Sequence, residues 1–123
     1  MTRFRSYKIM LLLDSDHKLH SMADRRLIVP LKKGTTANVR TGFWLGTTKE
    51  YVLAYYGSDI NDPNGMDPGE YEMLVTFEYD SKDVFEGDPD AIPAPADYGG
   101  VEFAVTKAKL ASVYNVTTRK KIF

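Results

Sequence analysis

Between Glu70 and Tyr79 every second residue is large and apolar: Tyr71, Met73, Val75, Phe77 and Tyr79 alternate with Glu72, Leu74, Thr76 and Glu78. Strand side chains point to opposite faces with a period of two, so this spacing predicts a β-strand with one strongly apolar face, central to a sheet. Three further stretches join it. Tyr7, Ile9, Leu11 and Leu13 alternate with Lys8, Met10 and Leu12, a strand expected to be buried on one face at its start and on both by its end. Lys18 to Met22 reads as a short returning strand after the Asp14-Ser15-Asp16 turn, and Arg26 to Leu31 as another after a turn at Ala23-Asp24-Arg25, with Pro30 at an edge or strand end where no ladder donor is needed. Val101 to Tyr114, through Phe103, Val105, Leu110 and Val113, gives one long strand or two short ones. Lys32 to Thr41 is polar and reads as a loop with room for a short strand at Ala37 to Arg40; Val116 to Phe123, ending Arg119-Lys120-Lys121, is expected to fray.

The one helix signal lies in Gly42 to Gly57, which holds the only tryptophan and three of the eight tyrosines. Thr47 followed by Glu50 matches a capping box, in which both side chains satisfy free backbone donors at a helix start. Tyr51, Ala54 and Tyr55 share a face, which predicts core packing for Tyr51 and Tyr55, and Gly57 suits a left-handed terminating residue. The spacing predicts a helix from Thr48 to Tyr56. Asp/Asn/Pro/Gly-rich Ser58 to Gly69 and acidic, proline-punctuated Asp80 to Gly100 are loops. The expectation is a single α+β domain over residues 1–123: a mostly antiparallel sheet with one short helix packed on it and long acidic loops.

Composition narrows the function classes. A chain of 123 residues can bury a core without staples, and the absence of cysteine excludes disulfides, thiolate metal sites and cysteine catalysis. The longest apolar run, Ile9 to Leu13, has five residues, against the roughly 20 needed to span a bilayer. A cytoplasmic protein with no membrane contact is therefore expected. Residues 1–40 carry nine Lys/Arg and three Asp/Glu, residues 41–105 carry two and fourteen, and residues 106–123 carry five and none. Either these blocks pair within the sheet, or the acidic middle faces a basic partner.

Asp59 to Glu70 has Asp, Asn, Asp and Glu at the first, third, ninth and twelfth places of a calcium loop, but Pro63 takes a ligand position and Gly65 arrives one residue late. Asp14, Asp16, His17 and His20 combine imidazole and carboxylate at a turn; Asp16, His17 and His20 are the candidate metal ligands, although a spacing of three sends the histidines to opposite strand faces. Arg25-Arg26, Lys32-Lys33 and Arg119-Lys120-Lys121 read as solvated faces, because the aromatics lie elsewhere; direct nucleic-acid binding is not expected. Trp44 and Tyr56, with Tyr51 and Tyr55, are candidate ligand-binding aromatics.

Two resemblances accompany these readings. Gly42-Phe43-Trp44-Leu45-Gly46-Thr47-Thr48 before a helix, and Glu70-Tyr71-Glu72 leading into a strand, resemble segments of ADP-ribosyltransferases. That resemblance implies NAD binding, with Thr47, Glu70 and Glu72 as catalytic positions and Arg3 or Arg5 supporting NAD; Thr47-Thr48 stands where that family has a serine motif, and no first-strand motif is recognisable. Lys18-Leu19-His20-Ser21, Gly42-Phe43, Lys82-Asp83-Val84 and Asp97-Tyr98 are similar to small uncharacterised bacteriophage-encoded proteins. This second resemblance implies an accessory protein that binds a host enzyme stoichiometrically. With no nucleophile–base pair and no phosphate-cradling glycine loop, the leading expectation is a non-catalytic interaction protein, a host-takeover or anti-defence inhibitor acting in the host cytoplasm. It would need no cofactor and would engage a basic or nucleic-acid-binding protein through Asp83, Glu86, Asp88, Asp90, Asp97 and Tyr98. An NAD-binding transferase-like domain and a virion structural protein, which would self-assemble as a homo-oligomer, are the alternatives.

Overall fold

The computed structural model describes residues 3–21, 27–57, 68–94 and 98–123. They form, in order, β1 (Arg3–Leu13), β2 (Lys18–Ser21), β3 (Ile28–Pro30), β4 (Thr36–Gly46), α1 (Lys49–Tyr56), β5 (Glu70–Asp80), a 3-10 turn (Ser81–Asp83), β6 (Val84–Glu86), β7 (Glu102–Asn115) and β8 (Lys120–Lys121). All pairings are antiparallel. β5 is central as its alternation requires: β1 pairs along one edge, from Arg3 opposite Asp80 to Leu13 opposite Glu70, and β7 along the other. β7 continues onto β4, and β4 returns to β1 at one pair, Tyr7 opposite Gly46. The four long strands thus close into a ring, β1-β5-β7-β4, and the β2–β3 hairpin extends β1 along the edge that β4 leaves open.

The apolar faces meet inside this ring. Met10 and Leu12, Phe43 and Leu45, Met73, Val75, Phe77 and Tyr79, and Phe103, Val105, Leu110 and Val113 form one core, closed on its open side by Leu19, Leu27 and Val29. Phe43 meets Phe77 edge-on at 5.6 Å between centroids, and Tyr79 tilts against Phe103 at 5.1 Å. Burying each such side chain contributes about 1.5–3 kcal/mol, so the ring interior is the main source of stability. β7 serves it although its inward residues fall out of strict alternation, with steps of three from Val105 to Ala108 and from Leu110 to Val113. The register shifts near both steps, against β4 and against β5, and such irregularities let one long strand bend around a tight ring.

Helix α1 lies on the outside of the ring. Val52 is its buried residue at 1% exposure, packed with Ile9 and Leu74 and flanked by Tyr7, Tyr51 and Tyr56. The expected inward face of Tyr51, Ala54 and Tyr55 is corrected: Ala54 and Tyr55 are exposed and Tyr51 is half-buried. Gly46 is the cause, because a Cβ there would collide with the Val52 side chain and the Tyr51 ring. The notch left by the missing side chain takes Val52 and sets the helix's rotation. The cap is also one residue later than expected. Thr48 Oγ1 accepts from the Tyr51 amide at 3.2 Å, whereas Thr47 is engaged with Val101, its N–H donating to the Val101 carbonyl and its Oγ1 accepting the Val101 N–H, both at 3.0 Å. Gly57 is extended (φ −72°, ψ 137°), not left-handed; its N–H donates to the Leu53 carbonyl, which approaches so closely that a side chain would clash.

Two other expectations change. Lys32 to Thr41 is not mainly loop, since β4 begins at Thr36 and pairs Thr36, Ala37 and Asn38 with Lys109, Ala108 and Lys107; long-range pairing overrides its polar composition. The C-terminal tail does not fray. β8 pairs with Tyr114 and Asn115, Val113 N–H donates to the Phe123 carbonyl at 3.0 Å, and Phe123 packs against the core. The turn at 23–25 and most of the calcium-like loop lie outside the described residues.

Candidate functional site

The acidic excursion after β5 is built, not slack. The 3-10 turn leads into β6, where Val84 sits opposite Val105 and Glu86 opposite Ala104 on β7. Beyond it, Asp88 Oδ1 accepts from the Asp90 amide at 2.9 Å and the Asp88 carbonyl accepts from the Ala91 amide at 3.1 Å, so the aspartate folds its own turn. The segment displays Phe85 at 55% and Ile92 at 93% exposure beside exposed Glu86, Asp88 and Asp90, with Asp83 half-buried at its root. Asp97 lies outside the described residues. Tyr98 is 61% exposed, in left-handed backbone at φ 52°.

The strands divide the acidic charge into two populations. β5 lies between basic strands: Arg5 Nη2 donates to Glu78 Oε1 at 3.0 Å, and Lys109 stands opposite Glu78 on β7. Glu86, Asp88 and Asp90 have no such neighbours and form no ion pair with any described residue. Their field does reach the core's rim. Burial, above all, pushes the Tyr79 hydroxyl's pKa up; the Ser6 hydrogen bond pulls it down, and the negative charge of Asp90 adds to the rise.

A second locus lies under α1. Trp44, Tyr7, Lys8, Tyr56 and Glu102 line a recess of about 10 Å³, enough for about one water and not for a nicotinamide ring. Lys8, 5% exposed, donates from Nζ to the Trp44 carbonyl at 2.9 Å, beside the one-pair seam between β1 and β4. The Tyr56 hydroxyl donates to the Glu102 carboxylate, 2.7 Å from each oxygen. The structure therefore brings Trp44 and Tyr56 together and adds Lys8 and Glu102, which the sequence reading missed. Lys8 is in phase with inward-facing Met10 and Leu12, but the more apolar Tyr7 and Ile9 beside it, which face α1, masked that signal. Glu102 carried none.

The transferase-like positions do not converge there. Gly46, beside Thr47, stands opposite Tyr7, whereas Glu72 stands opposite Leu11 and Glu70 opposite Leu13. At about 3.3 Å per residue these lie roughly 13 and 20 Å further along β1. Glu72 is also 2% exposed, its backbone tied to Val116 and Thr117. At the β1–β2 turn Asp16 Oδ2 meets His20 Nε2 at 2.7 Å, while His17 is exposed with φ 57°. Desolvation raises the Asp16 pKa, but the Lys18 amide and His20 outweigh it and hold the carboxyl below its ordinary value. Among the described residues no group of three or more His, Asp or Glu is arranged to hold a metal ion.

Comparison with protein-family models, curated proteins and solved structures finds no match. No described helix is long and apolar enough to cross a membrane.

Proposed function

We propose that this protein is a non-catalytic binding module that engages a basic protein partner through the excursion between β5 and β7. The observation that carries this reading is the pairing of Ile92, at 93% exposure, with three exposed carboxylates on a segment held in place by β6 and the Asp88 turn. An isoleucine in water forgoes about 1.5–3 kcal/mol that burial would return, and the Asp88 turn just before it lowers the ordering cost of binding. Unpaired carboxylates around it steer a cationic surface and reject an acidic one. Asp83, Glu86, Asp88 and Asp90 form this acidic rim, with Phe85 and Ile92 as its apolar anchors.

The partner class is a protein with a basic face, such as one that itself binds nucleic acid, and occupying that face inhibits it stoichiometrically. The resemblance to small phage-encoded proteins is the ground for reading this activity as host takeover or anti-defence. Immobilised protein is expected to retain a basic partner at low salt and to release it as ionic strength rises, with one-to-one stoichiometry by calorimetry. Replacing Glu86→Gln, Asp88→Asn and Asp90→Asn together is expected to abolish retention. Unchanged partner affinity in that variant contradicts the proposal.

A further inference from the structure

We infer that Tyr55 and Tyr98 form an arginine-selective contact, a ledge that seats a guanidinium of the basic partner; this rests on the binding function proposed above. Tyr51, Tyr55 and Tyr98 stack in sequence, with centroids 4.7 Å apart for the first pair and 5.6 Å for the second, where the rings stand at 87°. Tyr55 and Tyr98 are 51% and 61% exposed, so the end of this stack is open to solvent.

The ledge is preorganised from both sides. Tyr55 stands on α1, whose rotation is set by Val52 in the Gly46 notch. Tyr98 is followed by Gly99 and by Gly100, where a Cβ would lie 2.6 Å from Tyr51 Cβ and 2.7 Å from Thr48 Oγ1. Val101 is then held by both bonds to Thr47. Tyr98 itself occupies left-handed backbone, which costs a bulky residue energy and persists only where its surroundings impose it. An exposed aromatic ring kept in place at such a cost is suited to contact.

The ligand class follows from charge and shape. The chain contributes two Lys/Arg against fourteen Asp/Glu between residues 41 and 105. Of those two cations, Lys49 is turned away, its ammonium 5.6 Å from the centroid of the Tyr7 ring. Beside the stack the structure sets acidic groups: the Tyr51 hydroxyl donates to Glu102 Oε2 at 3.4 Å, and Glu50 is exposed on the same helix. A cation is the complementary group. Guanidinium is planar and weakly hydrated and stacks on tyrosine more readily than ammonium does, so the ledge discriminates arginine from lysine.

The test uses two fluorescent synthetic peptides of equal length and charge, one alternating arginine with glycine and the other lysine with glycine, titrated at low salt. Wild-type protein is expected to bind the arginine peptide more tightly than the lysine peptide, by at most about two- to fivefold for each ring engaged. Tyr98→Asn removes the ring but tolerates the left-handed backbone; with Tyr55→Ala it is expected to bring the two affinities together, whereas Tyr98→Phe preserves the preference. The triple excursion variant is expected to weaken both peptides alike and leave their ratio intact. Equal wild-type affinities, or a preference that survives Tyr98→Asn with Tyr55→Ala, overturn the ledge and leave the acidic-surface function standing. Failure of wild-type protein to bind either peptide overturns both.

Discussion

At the scale of single residues, several side chains settle geometry that composition left open. Thr48, not Thr47, caps α1, so Thr48→Ala is expected to cost about 1 kcal/mol in urea unfolding while Glu50→Gln stays within about 0.5 kcal/mol. Tyr79 supplies a titration. Its folded pKa is raised, chiefly by burial, so the protonated ring stabilises the fold fully below tyrosine's ordinary pKa. That contribution is lost as pH rises from the ordinary value through the raised folded one. Asp90→Asn is expected to lower the Tyr79 pKa, read by NMR of labelled tyrosine, and an unchanged value contradicts the proximity of the excursion to the core rim. Thr47 shows why the cap was not legible: its sequence spacing was correct, but its hydroxyl is spent on Val101, 54 positions away. The inward face of Lys8 was hidden too: it shares phase with Met10 and Leu12 in the core, but at that end of β1 the more apolar set is Tyr7 and Ile9, which face α1 instead.

Among the elements, strands with unbroken alternation were legible and those that bend were not. The odd-numbered apolar face of β5 is the face inside the ring. β7 breaks phase twice because it must bend, which is why its fourteen residues read equally well as one strand or two. α1 was legible as a helix over its full span, but its buried face was not, because a glycine on β4 determines it. Val52→Ala removes two buried methyl-scale groups and is expected to cost about 2 kcal/mol, while Ala54→Ser changes stability by less than about 0.5 kcal/mol. Denaturant midpoints measure both. Equal effects would return the helix to the rotation that the tyrosine spacing implied.

For the whole molecule, α+β with a mostly antiparallel sheet and one short helix was readable from periodicity, whereas closure of the sheet was not. Closure depends on Tyr7 meeting Gly46, a contact between segments whose local patterns say nothing of each other. The same folding sorts the acidic charge. Glu78 of β5 is placed between Arg5 and Lys109, and the carboxylates of the excursion are left facing outward beside Ile92 and Phe85. Sequence order alone made these two groups look like one acidic block. The most direct test of the proposed function is the affinity of a purified basic partner for wild-type protein and for the Glu86→Gln, Asp88→Asn, Asp90→Asn variant, measured by calorimetry across a salt series. The account predicts one-to-one binding that weakens steeply with salt for wild-type protein and is lost in the variant. Equal affinities and equal salt slopes for the two proteins would contradict it.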